Sequence, residues 1–511
     1  MGITMDAPVS SSALYSPQGL ATILGTLFLI IPSYFLCIAI YNVYFHPLSH
    51  IPGEKLAAAT WGPYIYHLVT GDQVKWLQKL HAKYGEVVRL SPTEVSFISG
   101  ETAWQDVYGF RTGKNKTPPY LKDSAWYMAY PNGYPSIVGA GEELHQRLRR
   151  NFAHAFSDKA LREQEPLIQG YVDLFINRLE EEMADGATDI VKWYNCFTFD
   201  VIADLTFGEP LGCLRDRGYH PLINLTFFLV KGLGLSSTMR RFPSLKPIVA
   251  RMMPRDVLLK QMDFIKRAFG LVRQRIARET VRPDFLTHVV QNQEAGHKAL
   301  ATGEIESSMA VFMVAGSETT ATTLSGTTWL LLQHPAVLEK MVREIRGRFK
   351  SASEITVEEV NKLEYMIAVC TEGLRYYPPV PTGFPRVVPK GGDRISGHWV
   401  PEGTSVYISQ YPANHSPRNF VDPDSFVPER WLGDERYTAD KKAVYSPFSF
   451  GPRNCLGKQL AYAEMRLALA RTFWAFDLEL LDKEMNWMDQ KVYTLWEKPP
   501  LMVKLTPVVR D

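Results

Sequence analysis

The sequence predicts a mainly α fold with small β-sheets, of α+β class, preceded by one N-terminal transmembrane helix. Three observations predict it. No Asp, Glu, Lys or Arg occurs from Ala7 to Gly53. Apolar positions recur at helical spacing over long stretches, Glu304 to Gln333 above all. Short alternating segments bounded by turn residues lie near 86–98 and 399–409.

The charge-free stretch is apolar from Gly19 to Val43, and about 20 apolar residues suffice to span a bilayer as a helix. Pro32 is tolerated there as a kink. Tyr41, Tyr44 and Phe45 suit an interfacial position. Asp6 precedes the run and no basic residue does, so the n-region of a cleaved signal peptide is missing. Few charges flank the run, and Lys55 favours the cytoplasmic side for what comes after it. The expected organisation is a short segment over 1–18, an anchor over 19–44, a stiff extended hinge over 45–54 carrying Pro47 and Pro52, and one domain over 55–511.

Within that domain, Glu86 to Ile98 reads as two strands around a Ser91-Pro92 turn. Residues 142–183 and 256–280 read as helical. Glu304 to Gln333 is a long helix ended by His334-Pro335. Thr356-x-x-Glu359 is a capping-box pattern before another helix, which must stop by Tyr377 because Pro378-Pro379 comes next. Strands recur at Trp399-Val400 and Ser405 to Ser409.

Composition excludes several classes. A net charge of +2 over 511 residues gives no basic field for nucleic acid. The five cysteines, Cys37, Cys196, Cys213, Cys370 and Cys455, are odd in number and form no C-x-x-C, which fits neither a disulfide framework nor a zinc site. A reducing compartment fits.

Cys455 stands apart by its surroundings. It ends a loop just before a helical stretch, beside Arg453 and Lys458, where a lowered thiol pKa is expected. Gly451 and Gly457 leave room for a flat cofactor. Gly451 to Lys458 superficially looks like a phosphate loop, but the spacing is one residue too long and Gln459 replaces the needed Ser or Thr. In Ala315-Gly316-Ser317-Glu318-Thr319-Thr320 an acid beside two hydroxyls in an apolar helix could relay protons. The alternative is that the threonines bond carbonyls one turn back. Glu372 and Arg375 form an i,i+3 pair among apolar residues, with Arg430 in Pro428-Glu429-Arg430-Trp431 as a further guanidinium. His145 and Arg149 share one helix face, either a solvated basic face or a binding one.

Phe448-x-x-Gly451-x-Arg453-x-Cys455-x-Gly457 resembles the haem-binding loop of the cytochrome P-450 family at every fixed position. The 315–320 segment, Glu372-x-x-Arg375 and Pro428-Glu429-Arg430 resemble the family's other motifs and occur in family order. Tyr44-Phe45-His46-Pro47-Leu48-x-x-Ile51-Pro52-Gly53 looks like the fungal microsomal branch, so the resemblance covers essentially the whole chain. Trp431 replaces the usual Phe and His145 the usual Trp.

The resemblance implies haem b (iron protoporphyrin IX), with Cys455 as axial iron ligand and Phe448 shielding the sulfur. Arg453, Arg149, His145 and Arg386 fall at propionate-binding positions. Gly451, Gly457, Ala315 and Gly316 border the cofactor, Thr319 and Glu318 deliver protons, and Glu372, Arg375 and Arg430 form a structural ion triad. The implied activity is a monooxygenase that uses O2 to hydroxylate or otherwise oxidise an apolar small molecule in secondary metabolism, of terpenoid, polyketide or alkaloid type. Alternatives are a thiolate-haem isomerase or dehydratase that does not use O2, and a haem gas sensor.

No dinucleotide fingerprint is present, since Gly232-x-Gly234 lacks a third glycine. Electrons are therefore expected from outside the chain, and the resemblance implies a separate NADPH-dependent flavoprotein reductase, with cytochrome b5 as a second donor. The implied location is the endoplasmic reticulum membrane, single-pass and facing the cytosol. The resemblance implies that Tyr127, Met128, Phe227, Phe228, Phe312, Val380 and Phe384 lie at the substrate pocket. The sequons at Asn115, Asn224 and Asn414 are expected to be unmodified.

Overall fold

A computed structural model of the protein describes residues 16–111, 118–127, 130–245, 247, 251, 255–278, 282–293 and 299–510. Asp6, Ala7, Asn115, Met128 and the last positions of the 256–280 stretch lie outside the described residues.

Helix α1, Pro17–Tyr44, opens with Ser16 Oγ accepting from Gly19 N–H at 3.0 Å, a local cap for a helix start. Its 28 residues extend about 42 Å at ~1.5 Å each. Its most apolar stretch has mean hydropathy 2.4 and buries nothing against the rest of the chain. It is long and apolar enough to cross a membrane.

The segment expected as an extended hinge turns instead over 45–50 and packs on the body. The cause is hydrophobic: Leu48 and Ile51 are buried in the core beside Val87 and Phe97. Buried Arg89 fastens the joint by donating to Asn42 O at 2.8 Å and Pro92 O at 2.8 Å. Gly53 is needed because a Cβ there would collide with the Arg89 carbonyl.

The main sheet contains β1 (Val87–Ser91), β2 (Glu94–Phe97), β3 (Leu121–Lys122), β4 (Arg386–Val387) and β5 (Ser405–Ile408), in spatial order β1-β2-β5-β4-β3. Only the β2–β5 pair is parallel. Lys122 lies directly opposite Arg386 in the β3–β4 register.

The helical body carries the site. The 142–183 stretch breaks into α2 (Glu142–Phe152), a 3-10 turn and a helix Asp158–Glu182. Ser157 restarts it by accepting from Ala160 N–H at 3.2 Å. Helix α3, Ile190–Phe207, is buried along its length, and Phe227 of α4, Pro221–Arg241, packs on its Phe199.

The 32-residue α5, Thr302–Gln333, threads the core. Gly316 on α5 lets α3 approach, since a Cβ there would collide with Ile202. Helix α6, Glu364–Tyr376, stops before Pro378-Pro379 as expected. Helix α7, Lys458–Ala475, comes after the cysteine loop and packs on α5.

Candidate active site

A cavity of about 260 Å³ lies between α5 and the start of α7. Its floor is the loop built by Phe448, Cys455, Leu456 and Gly457, and its roof is Val311, Phe312, Ala315, Gly316 and Thr319 of α5. The loop closes on itself, with Cys455 N–H donating to Phe448 O at 2.8 Å. The Phe448 ring packs on Tyr462 at 4.9 Å between centroids.

The Cys455 thiol opens into the cavity. Its pKa differs from the expected lowering, because burial pushes it up against the opposing Gly457 N–H, Arg149 and Lys458. Arg453 is not the neighbouring cation. It donates to Ala140 O at 2.8 Å and Glu142 at 3.1 Å. Gly451 also has a different neighbour from the one expected. It sits at φ +73° outside the cavity lining, and a Cβ there would strike the Tyr108 carbonyl. Gly457 does line the cavity.

One rim of the cavity is basic, with the guanidinium groups of Arg149, Arg386 and Arg453 as its charges. Lys122, His145, Arg149, Arg386 and Arg453 all line it. Arg149 holds the loop by donating to Asn454 O at 2.7 Å and Asn454 Oδ1 at 2.6 Å. Arg386 is buried, and its Nε finds no hydrogen-bond partner among the described residues. Burial, then Arg386 and Arg453, press the Lys122 amine well below its ordinary pKa. Burial, then Arg453, Arg149 and Lys122, hold His145 down to about 3.

Like charges facing each other across a strand pair are destabilising. The one carboxyl among the described lining residues, Glu464, offers no countercharge, because burial raises it well above the carboxylate range. A flat apolar ring bearing two carboxylates fits this arrangement: apolar walls, a thiol below, and cations with spare donors on one edge. Sequence reasoning misses Lys122. A lone lysine in a two-residue strand carries no motif, and only its register opposite Arg386 exposes it.

On α5 the expected acid–threonine pair is divided. Thr319 faces the cavity, with its Oγ1 donating back to Ala315 O at 2.6 Å. Glu318 does not line the cavity. It points away and meets the Lys498 ammonium, which also donates to Thr322 Oγ1 at 2.8 Å. Thr320 faces Glu464.

The substrate side is apolar: Ile137, Val138, Ile202, Phe285, Phe312, Val380 and Phe384 line it. Three residues expected there lie elsewhere. Phe227 packs on Tyr219 at 5.8 Å and Phe199 at 6.1 Å. Phe228 lies under the Lys260 ammonium at 4.8 Å, and Tyr127 under that of Lys122 at 4.2 Å. The sequon residue Asn414 is buried and donates to Arg375 O at 2.9 Å, whereas Asn224 is exposed.

Behind the cavity, Arg375 grips Glu372 with two bonds of 2.8 Å. Arg430 reaches Glu372 at 3.1 Å and Asp440 at 2.7 Å. All four side chains are fully buried. Trp431 adds an N–H to Glu372 Oε2 at 2.9 Å, so the unusual Trp supplies a donor that Phe lacks. Trp431→Phe is expected to cost about 1.5–3 kcal/mol, the range for a hydrogen bond to a charged group. Denaturant unfolding checks it, and unchanged stability counts against this bond.

Comparison with known proteins agrees with this architecture. A match to the family described as Cytochrome P450 covers residues 58–505. The chain is 51% identical to "Cytochrome P450 monooxygenase lcsI" of Purpureocillium lilacinum, covering 92% of each chain. It is 46% identical to "Cytochrome P450 monooxygenase traB" of Penicillium crustosum, over 96% of this chain and 98% of the relative. It is 43% identical to "Cytochrome P450 monooxygenase efuB" of Hormonema carpetanum, over 91% and 93%. The chain belongs to the cytochrome P450 family and is a haem-thiolate monooxygenase.

Proposed function

We propose that the protein is a membrane-anchored monooxygenase of the endoplasmic reticulum that oxidises an apolar small molecule in a secondary-metabolite pathway. The terpenoid, polyketide and alkaloid classes all suit an apolar pocket. The carrying observation is a cavity with one thiol in its floor, apolar walls and a positive rim. Haem b is the group this cavity suits, with Cys455 as its iron ligand. When bound, it supplies the redox-active iron at which dioxygen is reduced and one oxygen atom passes to substrate.

The chain's own residues do the rest. Arg149, Arg386 and Arg453, with Lys122 and His145, bind the two carboxylates and neutralise the rim. Phe448 packs beside the sulfur and limits water there. Phe312, Val380 and Phe384 orient an apolar substrate by shape. The Thr319 hydroxyl holds a proton at the cavity, and Glu318 supplies it. Glu372, Arg375 and Arg430 keep the loop's support rigid and touch no reacting atom.

Helix α1 anchors the domain, with the 55–511 body in the cytosol. Electrons come from an NADPH-dependent flavoprotein reductase in the same membrane, with cytochrome b5 as a second donor. The broad concave face over the cysteine loop, bearing Arg150 and Lys458, suits an acidic docking partner.

In a system reconstituted with such a reductase, Thr319→Ala is expected to release hydrogen peroxide in place of product. Coupling should fall about tenfold or more, within the scale of positioned proton transfer. Unchanged coupling removes Thr319 from the mechanism. Absence of any oxygen or NADPH consumption by the parent protein favours the isomerase or sensor reading instead.

A further inference from the structure

The end of α4 is fastened to the segment that walls one side of the cavity. Its last two residues make the fastening. Arg240 donates to Ala125 O at 2.9 Å and to Trp126 O at 3.1 Å. Arg241 donates to Asp123 Oδ2 at 3.1 Å, and its guanidinium lies over the Trp61 ring at 4.2 Å, a cation–π contact. The segment so held reaches the cavity at two points. Lys122 lines it directly, and the Trp126 ring packs at 5.8 Å on Phe384, which also lines it.

One group in this cluster is unbalanced. Glu94 of β2 is fully buried and lies 3.4 Å from the same Arg241 Nη2 that bonds Asp123. Neither Glu94 oxygen makes a hydrogen bond among the described residues. Asp123, by contrast, also accepts from Ser405 Oγ and from the Ala125 N–H, each at 2.9 Å. Two buried carboxyl groups therefore compete for one guanidinium, and Asp123 holds the better geometry. A buried charge left without hydrogen bonds is costly.

We propose that Glu94 is a positioning residue of the cavity wall, a proton-controlled latch on Arg241 that holds the segment from Lys122 to Tyr127 tight when neutral and loosens it when ionised. The latch sets how readily a bulky molecule reaches the cavity. The proposal rests on the cavity being the haem and substrate site.

The groups facing Glu94 come from four elements: Arg241 from α4, Asp123 just after β3, Tyr64 from the helix Gly62–Thr70 and Tyr407 from β5. Burial pushes the Glu94 carboxyl up to about 7, with Arg241 pulling it back and Asp123 pushing it further. Burial holds both tyrosines well above their ordinary range, so neither ionises near neutral pH. Burial works against the Arg241 charge, but Glu94, Tyr64 and Asp123 outweigh it.

With Glu94 neutral, Arg241 and Asp123 form a balanced pair. With Glu94 ionised, the buried cluster carries an excess negative charge. Loosening the segment lets water reach Glu94 and returns it toward the ordinary carboxylate range. The tight arrangement thus binds the proton more strongly than the loose one, and rising pH favours loosening. The proton is released to solvent.

The test uses the full-length ferrous holoenzyme and two haem ligands that do not titrate, carbon monoxide and tert-butyl isocyanide. Both bind the same iron, and the isocyanide is the bulkier. The readout is the isocyanide association rate divided by the carbon monoxide rate, followed by rapid mixing. In the parent this quotient is expected to rise about tenfold from about pH 6 to about pH 8.5, since linkage to one proton allows up to about tenfold per pH unit. In Glu94→Gln, which keeps the size and cannot ionise, the quotient is expected to stay low and flat. Lys122 is present in that variant, so any slope it contributes remains.

A parent quotient that does not change with pH overturns the latch. So does a Glu94→Gln profile that rises as the parent's does. Where Glu94→Gln does not assemble, Asp123→Asn serves. It leaves Arg241 to Glu94 alone, which lowers the Glu94 pKa and removes the rise from this range. A rise that persists there equally overturns the proposal. The ferrous carbonyl spectrum tests the haem reading separately, because it forms whether or not the latch exists.

Discussion

Replacing Glu372 by Ala is expected to destabilise the protein by about 3–5 kcal/mol, the cost of stripping one partner from a buried charge network. The magnitude reflects the groups left behind. Glu372 accepts from Arg375, Arg430, Trp431 Nε1 and the Val427 N–H. Asp440 still faces Arg430, but Arg375 keeps only the carbonyls of Asn414, Pro423 and Ser425. Its charge is then buried with no carboxylate to meet it. Domains are stable by only about 5–15 kcal/mol, so the loss is a large share of the total. The apparent unfolding midpoint of the purified holoenzyme should drop by about 3–5 °C. Glu339→Ala, which breaks an exposed i,i+4 pair with Arg343, should leave the midpoint where it is. If the two variants melt alike, the network contributes nothing beyond an ordinary surface pair.

The same residues show how far the sequence reaches. Glu372 and Arg375 are visible as a pair because three-residue spacing on a helix guarantees their meeting. Asp440 and the Trp431 N–H are not visible, because they arrive from separate loops that only the folded chain brings together. The cysteine loop is the most legible part. The thiol, its backbone neighbours and the start of α7 all lie within about ten residues, so local pattern suffices.

The 45–54 segment misleads for the opposite reason. Its prolines argue for extension, but Leu48 and Ile51 gain more by burial against β1 and β2. The division of Glu318 from Thr319 is beyond the sequence, since adjacent pairs of α5 such as Val311 and Phe312 or Ala315 and Gly316 both line the cavity, and nothing in the sequence around Lys498 announces a partner 180 residues away. Lys122 is the clearest loss, as a basic residue becomes a site residue only through register and cavity.

Cys455→Ser is expected to abolish the red-shifted Soret absorption of the ferrous carbonyl adduct, and with it all monooxygenase turnover, while the fold survives. Serine is close in size, and the bond that closes the loop is made by the backbone N–H to Phe448 O, so the cavity keeps its shape. What changes is the donor: a hydroxyl is far harder to deprotonate than a thiol and gives a harder ligand. No other cysteine can stand in. Burial pushes Cys196 up to about 12 and Cys370 to about 11, and raises Cys213 as well, while none of the three lines the cavity. Cys37 lies in α1, remote from it. Cys455 is also raised by burial, but it alone opens onto the space where a metal would remove its proton outright. The decisive comparison is therefore spectroscopic. Cys370→Ser should leave the carbonyl spectrum unchanged, and Cys455→Ser should lose the red shift even where haem stays bound through Arg149, Arg386 and Arg453. A Cys455→Ser protein that keeps the shifted band removes sulfur ligation from this cavity, and the oxidation chemistry assigned to it goes too.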